Sequence, residues 1–100
     1  MRPIHLVRLD KVRPVVVLTR ESVRPHLTKV TVAPITSTIR GHATEVSVGR
    51  ANGLDRNCVI SCDNIDTIPV SALGEQIGFL LDSQEQDLIH AIHAAFDLDD

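Results

Sequence analysis

A chain of 100 residues with net charge −3 is long enough to bury one modest core, so residues 1–100 are read as one domain. No apolar run approaches membrane-spanning length and the N-terminus carries no apolar signal core, so no membrane partner and a cytoplasmic location are expected. Phe79 and Phe96 are the only aromatics, which nearly excludes base stacking on aromatic platforms as a route to RNA.

Ile4 to Leu9 reads as a first strand with Ile4, Leu6 and Val7 inward. Asp10-Lys11-Val12 is a short link, of the kind that joins antiparallel neighbours. Arg13 to Thr19 follows as a strand whose β-branched run Val15-Val16-Val17 marks it as buried. Pro14 fits because the start of a strand can do without a ladder donor, and Arg13 then stands at the strand mouth, where a charged head can be held still. Glu21 to Thr28, with Pro25, is a loop. Lys29 to Thr36 is a third strand that ends in the hydroxyls of Thr36, Ser37 and Thr38. This reading brings Arg13 and Thr36 together over one phosphate.

Ile39 to Ala43 turns around Gly41, and Thr44 to Val48 returns as a fourth strand. Gly49 to Asn57 is a loop with an Asn52-Gly53 turn signal. Cys58 to Ser61 is a fifth strand, expected to continue from Ile65 to Ile68. Pro69 to Leu73 reads as one helical turn and Gln76 to Leu80 as a last strand. Ser83 to Phe96 is the one helix, with Ser83 as N-cap, Gln86 at the capping-box position and an apolar stripe of Leu88, Ile89, Ile92, Ala95 and Phe96. Many short strands with one terminal helix predict a mainly β fold, a small antiparallel barrel carrying a C-terminal helix.

Charge is divided unevenly. Residues 1–50 carry nine Lys/Arg and three Asp/Glu, and residues 51–100 carry one Arg and ten Asp/Glu. Such asymmetry fits either a basic binding face or pairing between the halves. In a strand, Cys58 and Cys62 lie roughly 13 Å apart, beyond disulfide reach. No second pair accompanies them as metal ligands, so they read as small core residues. His90 and His93 are three apart on the helix and read as solvated. No metal or cofactor is expected.

Taken in order, four segments resemble the MazF/PemK toxin endoribonucleases, the mRNA interferases of type II toxin–antitoxin systems. They are Ile4-His5-Leu6-Val7-Arg8-Leu9-Asp10; Arg13-Pro14-Val15-Val16-Val17-Leu18; Val32-Ala33-Pro34-Ile35-Thr36-Ser37; and Cys62-Asp63-Asn64-Ile65-Asp66-Thr67-Ile68. Leu73, Ile77-Gly78 and the terminal helix complete the pattern. The resemblance implies an SH3-like β-barrel, a homodimer, and metal-independent, sequence-selective cleavage of single-stranded RNA, mainly messenger. It also implies a cognate antitoxin whose disordered C-terminal segment lies across the active groove. The family's catalytic Arg and Thr fall on Arg13 and Thr36. Many members have a long Gly/Glu-rich loop between the first two strands, cut here to Asp10-Lys11-Val12. Where some members have Arg-x-Asp, this chain has Ser61-Cys62-Asp63, keeping the Asp and losing the Arg.

RNA carries its own nucleophile, the 2′-hydroxyl, so the enzyme has to deprotonate it, stabilise a phosphorane-like transition state and protonate the leaving oxygen. Arg13 suits the second task, since its planar fork matches two phosphate oxygens and stays charged. The Thr36 hydroxyl can donate to the same phosphate. Asp63 is the candidate catalytic helper. Ser37, Thr38, Arg40, Ser61 and Asn64 are candidate RNA-binding residues, with Arg8, Arg20 and Lys29 as further cations for the RNA track. Nothing in the sequence places His5, His26 or His42 near Arg13. The alternatives are a CcdB-like toxin that inhibits DNA gyrase by binding it, and an inactive barrel that only binds an antitoxin. The first depends on a tryptophan-containing C-terminal end, whereas this chain has no Trp and ends Asp97-Leu98-Asp99-Asp100.

Overall fold

The computed structural model describes residues 1–8 and 11–98. Seven strands and one helix follow in order: β1 (Pro3–Arg8), β2 (Val12–Val17), β3 (Lys29–Thr36), β4 (Glu45–Val48), β5 (Cys58–Ser61), β6 (Asp66–Pro69), β7 (Leu73–Phe79) and α1 (Asp82–Phe96). The strands pair antiparallel along the path β4-β5-β3-β2-β1-β7, with β6 beside the first half of β3. Leu9 and Asp10, in the link between β1 and β2, lie outside the described residues.

The β-branched runs work because both faces of the central strands are covered. Val16, Ala33 and Ile35 join Ile4, Val46, Ile60, Leu80, Leu88 and Ala91 in one core. The alternate residues Val15, Val17, Val30 and Val32 join Val7 and Ile68 in a second core on the opposite face. A strand alternates its side chains at period two, so a continuous valine run feeds both cores. In β1, Ile4 belongs to the first core and Val7 to the second, while Leu6 is only half-buried. The expected inward Leu6 keeps the face of Ile4 in the unbroken β1–β2 ladder, but there, opposite Pro14, it is only partly covered.

β5 and β6 are not continuous. A 3₁₀ turn, Cys62–Asn64, breaks them and redirects the chain from one half of β3 to the other. The expected turn after β6 is present as Val70–Ala72, and β7 begins earlier than expected, at Leu73. Cys58 and Cys62 are free and buried in the first core.

The sheet curls without closing into a full barrel. β4 and β7 remain its ends, and side chains fill the seam between them. Asn52, 1% exposed, donates to the Phe79 carbonyl of β7 at 2.9 Å and accepts from the Gly49 N–H at 3.0 Å. Its amide also pairs reciprocally with that of Gln84, at 2.7 and 3.2 Å. Gln84 in turn donates to the Ser47 carbonyl of β4. The backbones touch here: a Cβ at Gly78 would lie 1.9 Å from the Asn52 carbonyl oxygen, and Gly53, at φ 88°, would meet Ile77 at 2.0 Å.

The helix begins one residue before the expected Ser83. Leu81 is its N-cap, and the side-chain Oε1 of Gln84 accepts the Leu81 N–H at 2.9 Å, so Gln84 and not Gln86 completes the reciprocal half of the cap. The buried stripe is rotated too: Leu88 and Ala91 are buried and Ile92 and Ala95 half-buried, while Ile89 and Phe96 are 41% and 56% exposed. The Gln84 amide anchors the first turn in the seam and thereby sets which face turns inward. Among the described residues no helix is long and apolar enough to cross a membrane. Asn52→Ala strands the buried partners of its amide, and each such loss costs about 1–3 kcal/mol. The urea midpoint of N52A should therefore fall by the equivalent of about 2–3 kcal/mol, with m unchanged.

Candidate active site

The β2–β3 ladder pairs Val15 with Pro34, Val16 with Ala33 and Val17 with Val32. Continuing that register two residues sets Arg13 opposite Thr36. By strand alternation both side chains lie on the face of the second core, past its last valines. Arg13 is exposed, and among the described residues its guanidinium has no ion-pair or hydrogen-bond partner. Thr36 is half-buried, and its Oγ1 accepts the Thr38 N–H at 3.1 Å. That bond occupies a lone pair and leaves the hydroxyl proton to be donated outward.

Pro34 is the reason the site is open. The Leu18 N–H donates to the Thr31 carbonyl, and the Thr31 N–H donates to Thr19 Oγ1. Odd-numbered residues of β3 therefore face β2, and even-numbered ones face the other side. There β6 pairs as far as Val32, and β5 begins at Ile35. Pro34 points its missing donor into the interval between them, where no strand needs it.

The Cys62–Asn64 turn crosses that interval and supplies the facing wall. Cys62 is its buried anchor, and its N–H donates to the Thr44 carbonyl at 3.0 Å. Asp63 and Asn64 are exposed. Asp63 Oδ2 accepts from Thr44 Oγ1 at 2.7 Å, and Asn64 Nδ2 donates to Ser61 Oγ at 2.8 Å.

The third wall is the loop before β4. Gly41, at φ 76°, bends it so that successive N–H groups converge. The Glu45 carboxylate accepts from the N–H groups of Arg40 (3.2 Å), Gly41 (2.9 Å) and His42 (3.3 Å). Such a concavity of backbone donors binds an anion, and here the anion is the chain's own.

These walls enclose a groove of about 610 Å³ lined by Arg13, Thr36, Thr38, Arg40, Ser61, Asp63 and Asn64, together with His42 and Glu45. It gathers all three expected catalytic residues and four of the five expected RNA-binding ones. Ser37 lies in a neighbouring recess on the far side of Thr36, with Arg13 and Arg56. A smaller cleft, about 260 Å³, also adjoins Arg13; its floor is Val7, Val15, Val32 and Ile68, and Lys11, Asn64 and Asp66 line it as well. Arg8, Arg20 and Lys29 line none of the three. His42, which the sequence did not place near Arg13, shares its groove, and Glu45 is a second addition. A Gly-containing turn followed by Glu45, three residues after His42, was the signal for both. Both groove carboxylates are engaged locally, Glu45 by backbone and Asp63 by Thr44, while the guanidinium of Arg13 is unpaired, so the groove suits a phosphate. Among the described residues no group of three or more His, Cys, Asp or Glu could hold a metal.

The antiparallel sheet, terminal helix and groove are those of a small single-domain β protein, and comparison with known proteins gives its class. The chain belongs to the PemK-like, MazF-like toxins of type II toxin–antitoxin systems, whose family profile matches residues 7–96. It is 67% identical over 99 residues to Endoribonuclease MazF3 of Mycobacterium tuberculosis, covering 99% of this chain and 96% of that protein. It is 35% identical over 86 residues to the Probable endoribonuclease MazF5 of the same species, covering 85% and 79% respectively. It superposes on the Mycobacterium tuberculosis toxin MazF-mt6 with a TM-score of 0.95 at 66% identity, covering 98% of this chain and 99% of that one. An endoribonuclease solved with its cognate antitoxin, from Mycobacterial species, shares the fold at a TM-score of 0.87 and 21% identity, over 97% and 93% of the two chains.

The turn that carries Asp63 also carries a testable pKa. Burial, with Asp63 adding to it, pushes the Cys62 thiol up from 9.0 to about 11. The folded state therefore holds this proton longer than the unfolded chain does. The stability it contributes is complete below pH 9.0 and is lost as pH rises toward about 11. At pH 8, folded protein should resist iodoacetamide at Cys62, with mass spectrometry finding it alkylated only after denaturation; replacing it with Ala should flatten the alkaline fall in stability.

Proposed function

We propose that this chain, an endoribonuclease toxin by family, cleaves single-stranded RNA, chiefly messenger, at short specific sequences without a metal and so arrests translation and growth in the cytoplasm. The observation that carries the site assignment is the register-opposed pair of an unpaired Arg13 and an outward-donating Thr36 in one groove. The guanidinium binds two oxygens of the scissile phosphate and stabilises the charge that builds as the 2′-oxygen attacks. Thr36 donates to a third. Asp63, held by Thr44, is the catalytic helper, a fixed negative charge on the facing wall. Thr38, Arg40, Ser61 and Asn64 bind the flanking nucleotides along the groove, with Ser37 extending the track into the neighbouring recess.

A cognate antitoxin follows from the family. We assign its inhibitory contact to a disordered C-terminal segment lying in this groove, and we assign the active form to a homodimer. The dimer rests on the exposed Val12, Ile89 and Phe96, more apolar surface than a lone chain of this size needs to show. Sedimentation at micromolar concentration should give twice 11.0 kDa; a species of 11.0 kDa alone would overturn that assignment.

The site is tested by incubating pure protein with a long single-stranded RNA in EDTA and mapping the cuts by primer extension. Arg13→Ala should lose on the order of 10²–10³ in rate or more, and Arg13→Lys should retain part, since it keeps the charge and loses the fork. Thr36→Val should be impaired more than Thr36→Ser. All four variants should melt near wild type, because neither head group belongs to a core. Wild-type cleavage by folded Arg13→Ala would refute the assignment.

A further inference from the structure

The groups assigned so far hold and polarise the phosphate, yet none is matched to taking the proton from the 2′-hydroxyl near neutral pH. Arginine stays protonated far above that range, and an ordinary carboxylate is too weak a base for it. We propose that His42 is the general base of the cleavage and that Glu45 is its positioning residue. This rests on the assignment of Arg13 and Thr36 above.

Three observations place it. His42 lines the same groove as Arg13, Thr36 and Asp63. Its loop is clamped at both ends of one short circuit: the Glu45 N–H donates to the His42 carbonyl at 3.1 Å, while the Glu45 carboxylate accepts the N–H groups of Arg40, Gly41 and His42. The clamp uses backbone only, and His42, an exposed residue of the groove lining, has no side-chain hydrogen bond among the described residues. A surface histidine on a slack turn would not need a carboxylate committed to three donors. The other histidines have different surroundings. His5 Nδ1 bonds the Gly74 carbonyl at 3.0 Å, and His26 sits in the Arg24–His26 turn; neither lines a groove with Arg13.

The step balances without a co-reactant. A ring nitrogen of His42 takes the 2′-hydroxyl proton as the 2′-oxygen forms its bond to phosphorus. The bond from phosphorus to the 5′-oxygen breaks, and the proton returns through solvent to that oxygen. The products are a 2′,3′-cyclic phosphate and a 5′-hydroxyl end. The charged groups that line the groove with His42 are Arg13 of β2, Arg40 of its own loop, Glu45 of β4 and Asp63 of the turn after β5. Arginines do not titrate near neutrality, and carboxylates ordinarily titrate well below it. A limb of the pH–rate profile between about pH 5 and 8 therefore belongs to an imidazole.

The experiment is the pH dependence of kcat/KM on a short single-stranded RNA cut by the wild type, in EDTA, with folding checked by thermal melting. The wild-type rate should fall as pH drops through that range. His42→Gln should lower the rate on the order of 10²–10⁴ and abolish the limb, and added imidazole should partly restore His42→Gly. Glu45→Gln should lower kcat by roughly 10- to 100-fold with little change in KM and keep the limb, since it moves the base without removing it. A His42→Gln enzyme that cleaves at wild-type rate, or that loses rate but keeps the acidic limb, overturns the proposal while leaving Arg13 in place. Wild-type cleavage by Arg13→Ala overturns the site itself, and His42 with it.

Discussion

The amide pair formed by Asn52 and Gln84 is the contact that joins the two ends of the sheet. An open sheet of this curl leaves two edges facing each other, β4 and β7, and an unpaired edge buried against a helix would strand its carbonyls. Asn52 answers the β7 side through the Phe79 carbonyl, and Gln84 answers the β4 side through the Ser47 carbonyl. The two amides bind each other, so the seam is joined by four side-chain hydrogen bonds in place of a row of backbone ones. Gly53 and Gly78 are required at the seam because a Cβ at either would collide with the backbone opposite. Because Gln84 also accepts the Leu81 N–H, one side chain starts the helix, orients it and closes the sheet.

Against that fixed frame, β3 divides its length between two partners. Its first half pairs β6 and its second half β5, and Pro34 stands at the changeover. A proline in a central strand usually costs a ladder bond; here the geometry spends the missing donor where no ladder exists. The interval this leaves is the groove. Arg13 and Thr36 reach it as the continuation of the faces that bury Val15, Val17 and Val32, so the same alternation that fills the second core aims the candidate site.

Much of this was legible. Valine runs, the Pro14 strand start and the hydroxyl end of β3 located Arg13 and Thr36, while Asp63 and Asn64 joined them only through the resemblance of the Cys62–Ile68 segment to the toxin family. The misses have physical causes. Strand period puts Leu6 on the face of Ile4 and Val7 on the opposite face, but it cannot tell how far each core extends, and Leu6, opposite Pro14, is only half-buried. The helix stripe was read from apolar side chains, which favoured Ile89 and Phe96 over Ala91; the rotation comes from Gln84 in a tertiary contact that no helical periodicity encodes. Asn52 read as a turn former, which it is, but its burial depends on β7 arriving from 27 residues away. His42 was passed over because its proximity to Arg13 is made by a loop, and loop trajectories follow from partners such as the Glu45 carboxylate and not from propensity.

The groove thus has walls of different stiffness. Arg13 and Thr36 stand on strands locked between two cores, and Asp63 stands on a turn anchored by buried Cys62. Arg40 and His42 stand on a loop of exposed residues whose shape depends on one half-buried carboxylate. A phosphate clamp gains from rigidity, since a preorganised charge needs no rearrangement as the transition state forms. The loop is held by other means: one carboxylate, Glu45, binds three of its backbone N–H groups and fixes Arg40 and His42 where no ladder reaches. Two devices therefore position the groove's side chains: strand alternation between two cores on one side, and a single half-buried carboxylate on the other.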